Sequence, residues 1–226
     1  MPNWVYNSLS IEGDPALIAD VKRMLNRPFV QKHDNWNSET REMEVKDFTY
    51  NNPVFAFHNI YNHRQAGISD EEYIKQPDHS KSPLDFSGNN WYDWNVTNWG
   101  TKWDVAVHDD KEYSDTELME ETETSLAYHF NTAWSPPMPA IAKLSEQYPT
   151  LVFTLSYEEE TGWGGEYNFV NGEEDVVESY GWKCRECDHI EEDTPYCEEC
   201  EFDTCPSCGY NEADEACEQH REEANA

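Results

Sequence analysis

The chain has 226 residues, 47 acidic against 15 basic, and a formal net charge of −32. Nine Trp, thirteen Tyr and nine Phe supply enough apolar bulk for a core and exclude wholesale disorder. The charge argues against non-specific nucleic-acid binding and against docking on anionic lipid, and apolar runs such as Leu151-Val152-Phe153 are too short to span a bilayer.

In chain order, residues 5–11 alternate apolar and polar side chains, the pattern of a strand. Asp14 then fits a helix N-cap and Pro15 the first helical position. Leu17, Ile18, Val21, Met24 and Leu25 form one apolar helical face, which Asn26-Arg27-Pro28 ends. Residues 55–60 read as a second strand. Residues 62–102 are polar, aromatic and rich in turn residues, and read as irregular. Residues 103–107 and 126–130 alternate again. Pro136-Pro137 precedes a helix carrying Ile141, Leu144 and Tyr148, and residues 151–157 form a strand. Residues 167–170, Asn171-Gly172 and a polar segment give a hairpin signal. The order β-α-β, long insertion, β-β-α-β-β predicts an α+β fold, an antiparallel sheet with helices on one face.

Four segments carry a family resemblance. They are Asn3-Trp4 with Asn7, Asn98-Trp99-Gly100-Thr101-Lys102-Trp103-Asp104, Thr132-Ala133-Trp134-Ser135-Pro136-Pro137, and Tyr157-Glu158-Glu159-Glu160-Thr161-Gly162-Trp163-Gly164-Gly165. In these the chain resembles the YubB-type family of phage and plasmid proteins, over roughly residues 1–180. The resemblance implies a ferredoxin-like sandwich encoded on a mobile element, into which residues 62–102 read as a long aromatic insertion. It brings no catalytic residues with it. Trp91, Trp94, Trp99 and Trp103 admit two roles, an exposed platform for a ligand or a seal that fixes an irregular loop to the sheet. The second is the expectation, since indole N–H groups anchor such loops. His33, His58, His63, His79, His108 and His129 match no ligand spacing, and no phosphate-loop, zinc-protease or nucleophile-elbow motif occurs. No pair among the carboxylates is singled out for acid–base work; a solvated acidic face is their default role.

All seven cysteines lie between Cys184 and Cys217. This divides the chain into residues 1–181, the α+β domain, and 182–226, a small Cys-rich domain. The tail pairs Cys184 with Cys187, Cys197 with Cys200, Cys205 with Cys208, and Cys217 with His220, each pair separated by two residues. Two such turns complete a tetrahedron of soft ligands for one zinc ion. Eight ligands therefore predict two Zn²⁺ per chain, with disulfides as the alternative. Sequential pairing, Cys184, Cys187, Cys197 and Cys200, then Cys205, Cys208, Cys217 and His220, gives a double zinc ribbon, which the tail resembles. Cross-braced pairing of alternate turns is the other arrangement, and sequential pairing is favoured.

From Lys183 onward there are 15 acidic and 3 basic residues, and a Cys₄ zinc site adds two further negative charges. A zinc module that grips nucleic acid shows Lys and Arg, so a basic protein partner is expected and direct nucleic-acid binding is not. The functional expectation is a non-enzymatic, acidic interaction protein of a phage or mobile element that engages a basic host protein, in its sharpest form by mimicking DNA. Adaptation to high salt is the bland rival, and the excess of Glu over Asp (30 to 17) argues against it. Two other classes stay open: an enzyme built on the insertion's aromatics, and a rubredoxin-like redox protein with iron between two Cys-x-x-Cys turns. The first residues show no basic segment followed by an apolar run, so no secretory signal, no membrane attachment and a (host) cytoplasmic location are expected.

Overall fold

The computed structural model describes residues 3–78, 80, 82, 85–110, 115–183, 190–191, 196–197 and 202–203, and beyond residue 181 the backbone alone. Strand β1 (Trp4–Glu12) leads into helix α1 (Pro15–Leu25). The Asp14 carboxylate accepts the Ala16 and Leu17 N–H groups at 2.9 and 3.4 Å, Pro15 opens the helix, and Ile18, Val21 and Leu25 are buried. A long connection follows. It holds the hairpin β2 (Phe29–Asn37) and β3 (Glu42–Tyr50), the short turns α2 (Phe57–Ile60) and α3 (Asp70–Tyr73), and helix α4 (Trp91–Trp99). Then come β4 (Glu117–Glu121), β5 (Ser125–Ala133), α5 (Met138–Gln147), β6 (Val152–Glu159), β7 (Gly164–Val170) and β8 (Glu173–Tyr180). Short pairs complete the described backbone: β9 (Trp182–Lys183) with β10 (Ile190–Glu191), and β11 (Tyr196–Cys197) with β12 (Phe202–Asp203).

The main sheet has the order β4-β5-β1-β6-β7-β8, and every pairing in it is antiparallel. Counting only β1-α1-β4-β5-α5-β6, the strands stand as fourth, first, third, second. That is the split-βαβ order of a ferredoxin-like domain. β7 and β8 widen the sheet beyond β6. Side chains alternate across a strand. Leu9 and Ile11 of β1, Leu126, Tyr128 and Phe130 of β5, Phe153 and Leu155 of β6, and Phe169 of β7 face one core with Ile18, Val21, Leu25, Ile141 and Leu144 of the helices. Burying each such side chain contributes roughly 1.5–3 kcal/mol.

The long connection departs from the sequence expectation in four places. Residues 57–60 form a helical turn rather than a strand. The Asp104 carboxylate, distant in sequence, accepts the Phe57 and His58 N–H groups at 2.9 and 2.8 Å, and all four residues of the turn are buried. Residues 103–107 are not a strand either. Asp104 also accepts the Ala106 N–H at 3.0 Å, which uses locally a donor that a strand ladder needs. The stretch 62–102 is not wholly irregular. Asn90 caps α4 by accepting the Tyr92 and Asp93 N–H groups, and Gly100 closes it in the left-handed region. The hairpin β2–β3 and strand β4 were not expected, because their polar residues hide the alternation.

Candidate functional site

The face of the main sheet opposite the helices is set by the register. Positions paired across all six strands bring Glu117, His129, Ser8, Ser156, Glu166 and Glu178 into one row. A second row holds Asn131, Tyr6, Glu158 and Tyr180, with Gly164 between the last two. The same face carries Glu12 from β1, Glu120 from β4, and Glu173 and Asp175 from β8. Eight carboxylates thus come from five of the six strands, and the six strand sequences contain no Lys or Arg. Neighbouring strands lie about 4.8 Å apart, so charges on adjacent strands stand well within one screening length. The Ser156 hydroxyl donates to Glu166 at 2.6 Å, and the Tyr180 hydroxyl to Glu158 at 3.4 Å. Tyr6, half exposed, stands between Asn131 and Glu158 over a shallow hollow. The strand segments lack basic residues, but only the register gathers their carboxylates on one face.

The four segments that carry the family resemblance meet at the end of the sheet where β5 leaves for α5. Thr101 Oγ1 donates to the Ala133 carbonyl at 3.0 Å and accepts the Ala133 N–H at 3.2 Å. Asn7 Nδ2 donates to Thr132 Oγ1 at 2.9 Å, and that hydroxyl donates to the Ser135 carbonyl at 2.8 Å. The Ser135 hydroxyl bonds the Gly100 carbonyl, the Trp134 N–H the Asn3 carbonyl, and the Glu160 N–H the Trp4 carbonyl. Gly100 has φ +82°, and a Cβ there would stand 2.6 Å from Pro139 Cδ. Glu159, buried, accepts both the N–H and the hydroxyl of Thr161. These residues lock the long connection onto the sheet, which is a structural task.

The four tryptophans divide between two roles. Trp94 and Trp99 are buried, and the Trp99 indole donates to the Tyr61 carbonyl at 2.8 Å, as expected of a seal. Trp91 and Trp103 instead help to line a cavity of about 290 Å³ together with Tyr50, Tyr73 and Trp99. Tyr73 forms its back wall, accepting from Gln31 at 3.1 Å and donating to Asn95 at 2.8 Å. His33, Asp34 and Asp104 supply the ionisable groups besides Lys32, which pairs with Asp47 at 3.7 Å. Burial, with His108 and His63 nearby, pushes His33 down to about 4, so its ring is neutral at pH 7. Burial pushes Asp104 up to about 6, although backbone N–H groups of Ala106, His58 and Phe57 pull against it. Beside the cavity, Lys102 Nζ stands 4.5 Å from the Trp103 ring centre and 4.7 Å from that of Trp134, with Tyr92 and Trp91 at 5.9 and 6.0 Å. Trp134 holds φ 72°, unusual for a large side chain.

Of the eight predicted metal ligands, Cys184, Cys187, Cys200, Cys205, Cys208, Cys217 and His220 lie outside the described residues, and Cys197 is described only as backbone in β11. Among the described residues no group of three or more His, Cys, Asp or Glu is placed to hold a metal ion. His79 lies outside the described residues as well. No helix among the described residues is long and apolar enough to cross a membrane.

A family model described as a ferredoxin-like domain in Api92-like protein matches residues 102–197. Among solved structures, the chain is similar to the crystal structure of the protein api92 from Yersinia pseudotuberculosis. The identity is 9%, the TM-score 0.43, and the match covers 79% of this chain and 97% of that one. No curated protein matches the chain.

Proposed function

We infer that the chain is a non-enzymatic interaction protein whose acidic sheet face engages a basic protein partner. The observation that carries this reading is the set of eight carboxylates on one face of six strands that contain no Lys or Arg. A face whose strands carry carboxylates and no Lys or Arg attracts a basic surface, speeds encounter and disfavours acidic competitors such as nucleic acid. The row that holds Glu117, Glu166 and Glu178 also suits the sharper form of the reading, in which the partner is a DNA-binding protein and the face stands in for phosphates. The resemblance to YubB-type proteins supports a mobile-element origin, and with it the cytoplasm of a host cell as the place of action.

The tail belongs to the same reading as a zinc-ribbon-like module with two Zn²⁺. By sequence, Cys184 and Cys187 fall between β9 and β10, and Cys200 between β11 and β12. Short antiparallel pairs next to Cys-x-x-Cys segments of the sequence fit thiolates that converge on a structural ion. The bound ion would supply folding energy and no redox chemistry.

Asp104, the most strongly perturbed carboxyl near the cavity, accepts three backbone N–H bonds and so acts as a fold-organising acceptor rather than a free acid–base group. An enzymatic reading stands second, since no catalytic motif occurs in the sequence. The test is capture from the native host at low and high salt, with the wild-type chain and a Glu158→Lys/Glu166→Lys variant. A basic protein retained at low salt by the wild type alone, and displaced by duplex DNA, fits the reading. Equal capture by both chains rejects the sheet face.

A further inference from the structure

We propose that the aromatic cavity between the β2–β3 hairpin, α3, α4 and residues 103–106 is a binding site for an organic cation, an alkylated ammonium head group. This goes beyond the interaction reading and does not depend on it. Three observations carry the proposal. The first is composition: Trp91, Trp99, Trp103, Tyr50 and Tyr73 give the cavity five aromatic rings, and its size, about 290 Å³, lies just below the roughly 300–1,000 Å³ usual for small-molecule sites and suits a small head group. Aromatic faces carry negative partial charge and hold quaternary ammonium groups, which bring little hydration to be stripped.

The second is charge. Asp104 and Asp34 line the cavity. The Asp34 carboxylate accepts a hydrogen bond from Gln76 at 2.9 Å. The cation on the wall, Lys32, has Asp47 as a partner, and His33 is neutral at pH 7. The Asp104 carboxylate is held by three backbone N–H groups, yet burial still destabilises its charge, which a cation in the cavity would relieve.

The third is a precedent within the molecule. Lys102 sits over Trp103 and Trp134 at 4.5 and 4.7 Å, so rings of this cluster already hold a cation. Its charge opposes a second cation nearby. Asp34 and Asp104 on the wall oppose that charge, and Asp47 pairs with the wall's own Lys32.

The shared chemistry is the alkylammonium group, whether it belongs to a free small molecule or to a modified lysine of a peptide. The full chain is titrated with choline, with 3,3-dimethylbutan-1-ol, which has the same shape without the charge, and with a short peptide bearing trimethyllysine. Indole N–H signals are followed by NMR. Choline or the peptide should saturate, the neutral isostere should bind at least about tenfold more weakly, and whichever cation binds more tightly identifies the source. Trp103→Leu, at a residue 40% exposed, should weaken binding about tenfold or more, and Trp36→Leu at the hairpin tip should not. Asp104→Asn should also weaken it; if that variant fails to fold, Trp103→Leu decides. Equal binding of choline and its isostere, saturation by neither cation, or binding indifferent to Trp103 would overturn the proposal. Glu178→Lys on the sheet face should leave it unchanged, which separates this site from the acidic face.

Discussion

The Thr101 hydroxyl bonds both backbone groups of Ala133, donating to the carbonyl at 3.0 Å and accepting the N–H at 3.2 Å. A side chain thereby does the work of a missing neighbour strand at the end of β5. It also fixes residues 101–106, and with them Lys102, Trp103 and Asp104, against the sheet. Thr101 is fully buried. Thr101→Val keeps the shape and removes the hydroxyl, which leaves two buried backbone groups without their partner. The expected loss is about 1–3 kcal/mol. Urea unfolding measures it as a lower midpoint at unchanged slope. An unchanged midpoint would mean that water takes over both bonds.

The histidines of the long connection make stability depend on pH. Burial, followed by His63 nearby, pushes His58 down to about 3, and burial with His108 pushes His33 down to about 4. In the unfolded chain both titrate near about 6.5. The unfolded state therefore takes up protons first, and stability is lost as pH falls from about 6.5 toward 4. Asp104 acts in the opposite sense. Its carboxyl, raised to about 6, costs stability when charged and relieves that cost as pH falls. Two histidines outweigh the one aspartate. His58→Phe keeps an aromatic ring stacked on Phe29, where the ring centres are 4.1 Å apart. It should flatten the dependence between pH 7 and pH 5 relative to wild type, a comparison that cancels the general relief of charge repulsion. An unflattened slope in urea melts would remove His58 as the cause.

What the sequence made legible follows from how local each signal is. The α1 cap at Asp14, the apolar stripe from Ile18 to Leu25 and the Asn171-Gly172 turn are read within a few residues, and each stands where expected. The strand misread at residues 55–60 owes its helical turn to Asp104, more than forty positions away, so no local window contains the cause. The caps of α4, Asn90 and Gly100, were present in the sequence, but between them the buried positions mix Trp94 and Trp99 with Asp93 and Asn95, so no apolar stripe marks the helix. The acidic face needed the register. Glu117, Glu166 and Glu178 fall into one row only through the pairing of β4, β5, β1, β6, β7 and β8.

Two zinc ions per chain are expected from the eight ligands Cys184 to His220. Elemental analysis of protein purified without added metal should give close to two zinc and no visible colour. Chelation should unfold the tail, which is too short for a self-sufficient apolar core, and leave the cooperative melting of residues 1–181 largely intact. One ion per chain, or coloured iron, would reject the double-ribbon reading. Loss of the sheet domain's transition under chelator would show that the two parts share a core.

Glu166 and Glu178 stand directly opposite each other across β7 and β8. Like charges so placed destabilise a sheet by roughly 0.2–1 kcal/mol. Glu178→Lys turns the repulsion into attraction, so the variant should be slightly more stable than wild type, by up to about 1 kcal/mol in urea. If the face docks a basic partner, the same substitution should weaken binding, mainly by slowing association, and wild-type binding should fall steeply with salt because screening shortens each charge's reach to about 8 Å at physiological ionic strength. Opposite signs in the two measurements are therefore the expected outcome: the acidic row is held against the stability of its own sheet, as a surface kept for a partner is. A face that merely keeps the protein solvated would show the gain in stability with binding unchanged. Stopped-flow association of wild type and variant with the captured partner, at two salt concentrations, decides between them, and equal association rates would remove the sheet face from the binding reaction.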